Sequence, residues 1–220
     1  MKKIITILFG SLLFISAANA AGMIGIKGGI GTLEGERTQD ASHGTATKAS
    51  GSIDNEYASI FAEVEAGSMI SLGLEYVPLE AKIDTEDTTT TDSMATVKDF
   101  KTVYALVSFG STPVYGKIGY SHADLSVQSN YDRVVINSAS DTLEGPMLGI
   151  GVQFDNVLPF LDVVRIEGNY HQFDEVSITT TNTARNNDAA GAVSAGVAQT
   201  TEKKGEAELM TLSISLAKSF

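Results

Sequence analysis

The chain has 220 residues, with 27 acidic against 15 basic side chains, a formal net charge of −12 and no cysteine. That balance disfavours nucleic acid and phosphate-rich partners, and the missing thiols exclude disulfides, thiolate metal sites and cysteine nucleophiles. With 43% hydrophobic residues, 21 glycines and 4 prolines, it is too apolar for a disordered chain and suits strands and tight turns.

The opening stretch "MKKIITILFGSLLFISAANA" sets Lys2 and Lys3 before an apolar run, Ile4 to Ile15, and then small residues closing on Ala20. This order predicts a secretory signal peptide over 1–20, cleaved after Ala20. The run is too short for a spanning helix, which needs roughly 20 apolar residues. Removal of Lys2 and Lys3 takes the charge from −12 to −14 and leaves one expected domain, 21–220.

Eight alternating segments follow, each with the two-residue period of a strand. The first runs near Met23 to Glu34, with Ile24, Ile26 and Ile30 on one face and Lys27, Gly29 and Gly31 on the other. "YASIFAEVEAG" opposes Ala58, Ile60, Ala62 and Val64 to Ser59, Phe61, Glu63 and Glu65, and "MISLGLEYVPL" opposes Ile70, Leu72, Leu74 and Tyr76 to Ser71, Gly73 and Glu75. "KTVYALVSFG" is apolar on both faces; Val103, Ala105, Val107 and Phe109 are assigned to the outside.

In the second half, "PVYGKIGYSH" opposes Ile118 and Tyr120 to Lys117 and Ser121, and "GPMLGIGVQF" opposes Leu148, Ile150, Val152 and Phe154 to Gly149, Gly151 and Gln153. "VVRIEGNYHQF" opposes Val164, Ile166 and Tyr170 to Arg165, Glu167, Asn169 and His171, and the last segment, "LSISLAKSF", sets Leu212, Ile214 and Leu216 against small polar residues before Phe220.

The connections alternate in length. Short ones lie near Gly67–Ser68, Ser111–Pro113 and Asn156–Phe160, while Arg37–Asn55, Glu80–Val97, Leu125–Thr142 and Asp174–Gly205 are long, polar and low in complexity. Such sorting is the pattern of a bacterial outer-membrane barrel, with short periplasmic turns and long extracellular loops. Closure also removes the strand edges that hydrocarbon would leave unpaired. The predicted fold is all-β: an eight-stranded antiparallel up-and-down transmembrane barrel with four long extracellular loops.

In such a barrel the apolar faces point outward and the polar faces inward. The inward set holds Lys27, Glu63, Glu65, Glu75, Lys117, Arg165 and Glu167. Charges between low-dielectric walls must pair, so an interior ion-pair network is predicted, four acids against three bases, leaving one carboxylate partly protonated or hydrated. Its expected role is structural; a narrow cation-preferring path is the alternative. Phe109, Phe154, Phe160 and Phe220 should mark one border of the apolar band, and Tyr76, Tyr120 and Tyr170 the other.

On "LEYVPL", "GKIGYSH", "LGIGVQFD" and the C-terminal strand ending in Phe220, the chain resembles the small bacterial outer-membrane barrels of the OmpA, OmpX, OmpW and opacity-protein type. The resemblance implies outer-membrane localisation, with lipid and lipopolysaccharide around the barrel. It also implies that the barrel-assembly machinery and periplasmic chaperones handle the chain, with Leu212, Ile214, Leu216 and Phe220 as the assembly signal. Lys218 departs from the family's apolar residue at that place; its stem can stay in the apolar zone while its ammonium reaches water. No peptidoglycan-binding domain follows Phe220, so an anchoring role of that kind is not expected.

The expected function is structural or surface-interaction, as an adhesion- or antigen-like monomer whose loops meet an extracellular ligand, with no cofactor and no nucleic acid. A narrow OmpW-like transport barrel for small or apolar solutes stays open, as does a lipid-modifying enzyme. For the enzyme, Ser121 and His122 point to opposite faces, Asp124 shares a face with His122, and His171 points inward towards Glu167; no catalytic set is assigned, and His43 lies in the first loop. Asp84, Glu86 and Asp87 lack the glycine and distal glutamate of a calcium loop, and no metal site is expected.

Overall fold

The computed structural model describes residues 21–39, 47–87, 91–131, 134–158, 160–182 and 199–220, with the side chains at the far ends of several strands outside this set. The predicted signal segment and His43 fall outside it. Among the described residues ten strands form: β1 (Gly22–Gln39), β2 (Thr47–Glu65), β3 (Ile70–Val77), β4 (Ala81–Asp87), β5 (Thr91–Ser108), β6 (Val114–Tyr131), β7 (Val134–Leu158), β8 (Leu161–Gln172), β9 (Val176–Asn182) and β10 (Gln199–Ser219).

They pair antiparallel in the order β1, β2, β3, β5, β6, β7, β8, β10, and β10 returns to β1. β4 prolongs the line of β3 along β5, and β9 that of β8 along β10, so the closed barrel has eight staves. The closing seam runs from Met23↔Ser219 to Gln39↔Lys203 and is finished by Phe220 N–H to Gly22 O (2.9 Å) and Gly22 N–H to Phe220 O (3.1 Å). The Phe220 ring lies over Gly22, where a β-carbon would collide with it.

The interruption between β3 and β4 begins at Pro78, which has no N–H for the ladder. Facing it, the register of β5 shifts between Lys98 and Lys101, with Asp99 at φ 55°, a left-handed conformation that Asp tolerates. Tyr76 donates its hydroxyl to Asp99 Oδ1 (3.1 Å), which ties the break to the bulge.

Within the segments expected as long loops, the described residues are largely strand. The ladders continue through Arg37–Gln39 with Thr47–Ala49, Ala81–Asp87 with Thr91–Val97, Leu125–Tyr131 with Val134–Asp141, and Val176–Asn182 with Gln199–Gly205. Backbone pairing needs no apolar side chain, and Thr and Val favour the extended chain; these hairpins therefore grow on where hydrophobic alternation has stopped. Asp84, Glu86 and Asp87 lie on β4 by their backbone; their side chains are outside the described set.

The outward face is apolar around the barrel, with Ile26 61%, Leu148 61% and Ile150 63% exposed. In β5, Val103, Ala105 and Val107 face out and Thr102, Tyr104 and Leu106 are buried within. Phe109, Phe154, Phe160 and Phe220 stand exposed at the short-turn end, and Tyr120 towards the hairpin end.

The lumen is not polar throughout. At the short-turn end Phe61, Val163 and Ala217 pack with Met23, and at the hairpin end Ala123, Leu143, Phe173 and Val176 pack with Leu33, Phe100 and Leu209. The charges lie between these apolar layers, with their side chains buried.

Candidate functional site

The ionic layer has two tiers. Nearer the short turns, Arg165 of β8 donates from both terminal nitrogens to Glu63 of β2, 2.6 Å to Oε1 and 2.8 Å to Oε2. Tyr104 donates to the same Glu63 Oε1 (2.7 Å), and Arg165 Nε donates to Gln153 Oε1 (2.8 Å). In the next tier Lys27 of β1 bridges Glu75 of β3 (2.7 Å) and Glu167 of β8, while Lys117 of β6 lies 3.4 Å and 3.6 Å from the same two carboxylates. Ser59 donates to Glu75 Oε1 (2.8 Å) and Tyr115 to Glu167 Oε1 (2.6 Å).

All six of these charged side chains are buried. The Lys117 ammonium also sits 3.7 Å above the centre of the Tyr104 ring, a cation on the negative face of the π-system. Close approach is made by glycine: Tyr104 lies across Gly73 and Tyr115 across Gly151, where β-carbons would collide with the rings.

Of the seven residues predicted for the interior, Glu65 is the one the network omits. It stands exposed at the end of β2, its N–H bonded to Ala21 O (3.0 Å). Three acids therefore meet three bases, and the surplus carboxylate inferred from sequence disappears. Strand parity placed Glu65 inward; it ends the strand, beyond the closed part of the lumen. Tyr104, Tyr115, Ser59 and Gln153 joined the network unannounced, although each occupies an inward position of its alternation.

Outside the lumen, Lys218 reaches Asp162 (2.8 Å), which also accepts from the Ser219 N–H and hydroxyl (2.8 and 2.6 Å). Asp162 lies past the apolar band, and these hydrogen bonds, the one from Lys218 first, hold its carboxyl down to about 2. His122 faces out with Glu144 (2.9 Å) and Asp124 (3.7 Å).

Above the ions a cavity of about 170 Å³ extends towards the hairpins. Leu33, Leu143, Met147, Phe100, Phe173 and Leu209 supply its apolar walls, with Glu75, Lys117 and Asn169 beneath. His171 lines one side. It pairs with Ser121 (Nδ1 to Oγ, 2.8 Å), itself 3.0 Å from Thr102 Oγ1, and not with Glu167 as its parity had suggested. Ser121 is fully buried behind the imidazole.

A closed antiparallel barrel, apolar outside and ionic within, is the outer-membrane β-barrel fold. No family model matches the chain, and no curated protein matches it. Among solved structures, the outer membrane protease OmpT of Escherichia coli is similar at a TM-score of 0.50 and 9% identity, covering 92% of this chain and 98% of that one. The outer membrane protein OprG of Pseudomonas aeruginosa gives 0.49 and 11%, covering 90% and 97%. Ail, the attachment invasion locus protein of Yersinia pestis, gives 0.47 and 12%, covering 90% and 99%. At such identities the likeness is one of fold, and the particular activities named for those proteins stay with them.

Proposed function

We propose that this chain is an outer-membrane barrel with a structural and surface-interaction role, its lumen shut by its own side chains. The observation that carries this is the cross-lumen cluster of Lys27, Lys117, Arg165, Glu63, Glu75 and Glu167, charge-balanced and packed between two apolar layers. An ion entering it would have to displace a partner that is already satisfied, at a cost of several kcal/mol.

The exposed apolar belt supports a lipid surround. Contiguous apolar surface on this scale is abnormal for a protein in water, and the Phe and Tyr borders match the interfacial preference of aromatic rings. Strands running past the belt as hairpins offer the surface on which an extracellular ligand would be met. Lipopolysaccharide is the expected neighbour, and the barrel-assembly machinery with periplasmic chaperones the expected route of insertion.

The test combines fractionation with gel mobility and conductance. The protein should appear in the outer-membrane fraction, run as a compact form until boiled, and pass no steady current in a planar bilayer. Recovery as a soluble protein, or ohmic conductance abolished by Glu63→Gln, overturns the reading. A whole-cell binding screen with and without residues 126–139 then tests the surface role: loss of adherence on deletion is expected, and unchanged adherence with every hairpin shortened counts against it.

A further inference from the structure

The cavity above the ions has features that the structural role does not use. At about 170 Å³ it is slightly larger than the roughly 150 Å³ apolar cavity that suffices for benzene, so it has room for one aromatic ring with small substituents. Its floor is the ionic layer, so its contents would come and go through the hairpin end.

His171 gives the cavity a chemical preference. It is 5% exposed, and its ring is fixed by Ser121 at Nδ1, edge-on to Phe100 at 5.4 Å and stacked on Phe173 at 6.3 Å. With Nδ1 turned to Ser121, Nε2 is the ring nitrogen that a ligand in the cavity would meet. Whether it donates or accepts depends on which nitrogen carries the proton, since the Ser121 hydroxyl can serve Nδ1 either way. A ligand hydroxyl, at once donor and acceptor, fits both tautomers. A carbonyl fits only one.

Charge narrows the class further. Of the charged residues at the cavity, Glu75 and Lys117 of the floor are buried, whereas Glu56, Glu80 and Lys82 are exposed. An anion would meet Glu75, and a cation would have to leave water beside Lys117, while both floor charges already have partners in the ionic layer. The apolar walls favour a neutral body.

We propose that this cup is a binding site for a small neutral single-ring aromatic alcohol or phenol, its ring against Phe100 and Phe173 and its hydroxyl on His171 Nε2. The assignment is independent of the structural role and of the state of the lumen below.

The probes are p-cresol and toluene, which differ by the hydroxyl, added to the full chain in lipid nanodiscs and followed by the Met147 methyl and His171 ring signals in NMR. Empty nanodiscs correct for partition into lipid. The expected result is saturable p-cresol binding about tenfold tighter than toluene, the worth of one hydrogen bond. His171→Leu should bring p-cresol down to the toluene value, and Leu143→Trp, which fills the cup, should abolish both. Heat-modifiable mobility checks that each variant is folded; Leu143→Phe serves if the larger ring prevents folding. Equal affinity for the two probes, unaltered binding in His171→Leu, or no saturable shift in the folded wild type overturns the proposal.

Discussion

Arg165 grips Glu63 by two parallel hydrogen bonds of 2.6 and 2.8 Å, although the residues are 102 positions apart and their strands, β8 and β2, are separated in the ring by β10 and β1. The pair spans the lumen and ties opposite walls.

Breaking this tie on one side should cost more than removing it altogether. Arg165→Met or Glu63→Met alone leaves a buried charge, worth about 3–5 kcal/mol of destabilisation, while the double variant should recover most of that loss. Urea unfolding in lipid vesicles, scored by gel mobility, checks it. Additive losses would show that the two side chains act independently.

Gly73 and Tyr104 form a second coupled pair. Gly73→Ala should destabilise the barrel by about 1–3 kcal/mol because the new methyl meets the Tyr104 ring, which is itself held by its bond to Glu63. Tyr104→Phe keeps the ring but loses the bond to Glu63, about 1.5–3 kcal/mol for a charged acceptor. In a Tyr104→Ala background, Gly73→Ala should be nearly harmless; an undiminished penalty there would place the clash elsewhere.

Deletion of Phe220 removes the last two hydrogen bonds of the β1–β10 seam and the ring over Gly22. Outer-membrane levels of the compact form should fall several-fold in quantitative immunoblots of fractionated cells. Normal levels would count against the C-terminal strand as the assembly signal.

The Asp162 carboxyl, lowered from 3.8 to about 2 by Lys218 and Ser219, adds a small acid-sensitive increment to stability. The folded value lies below the unfolded one, so the contribution is complete above about 3.8 and lost as pH falls through about 2. A carbon-detected NMR titration should put its midpoint near 2, and Asp162→Asn should flatten the stability profile in that window. A midpoint near 3.8 would dissolve the predicted link to Lys218.

Strand parity made much of the barrel legible. Ile24, Ile26 and Ile30 against Lys27, or Val164 and Ile166 against Arg165 and Glu167, can satisfy both faces only if one meets an apolar medium and the other a closed polar interior. Parity failed at a strand end, at Glu65, because inward-pointing loses its meaning where the wall stops. It failed again in the Thr- and Ser-rich connections, where backbone pairing extends strands without any side-chain period to announce them.

By itself the sequence determined the staves, their faces and six of the seven charges assigned to the interior, all of which follow from a two-residue repeat that neighbouring residues reveal. Only the tertiary structure decided which charges meet, that the lumen is apolar at both ends, and that His171 rests on Ser121 beside an aromatic cup. Those contacts depend on ring closure and on the stagger of strands whose paired residues are 42 to 102 positions apart, distances over which sequence carries no register.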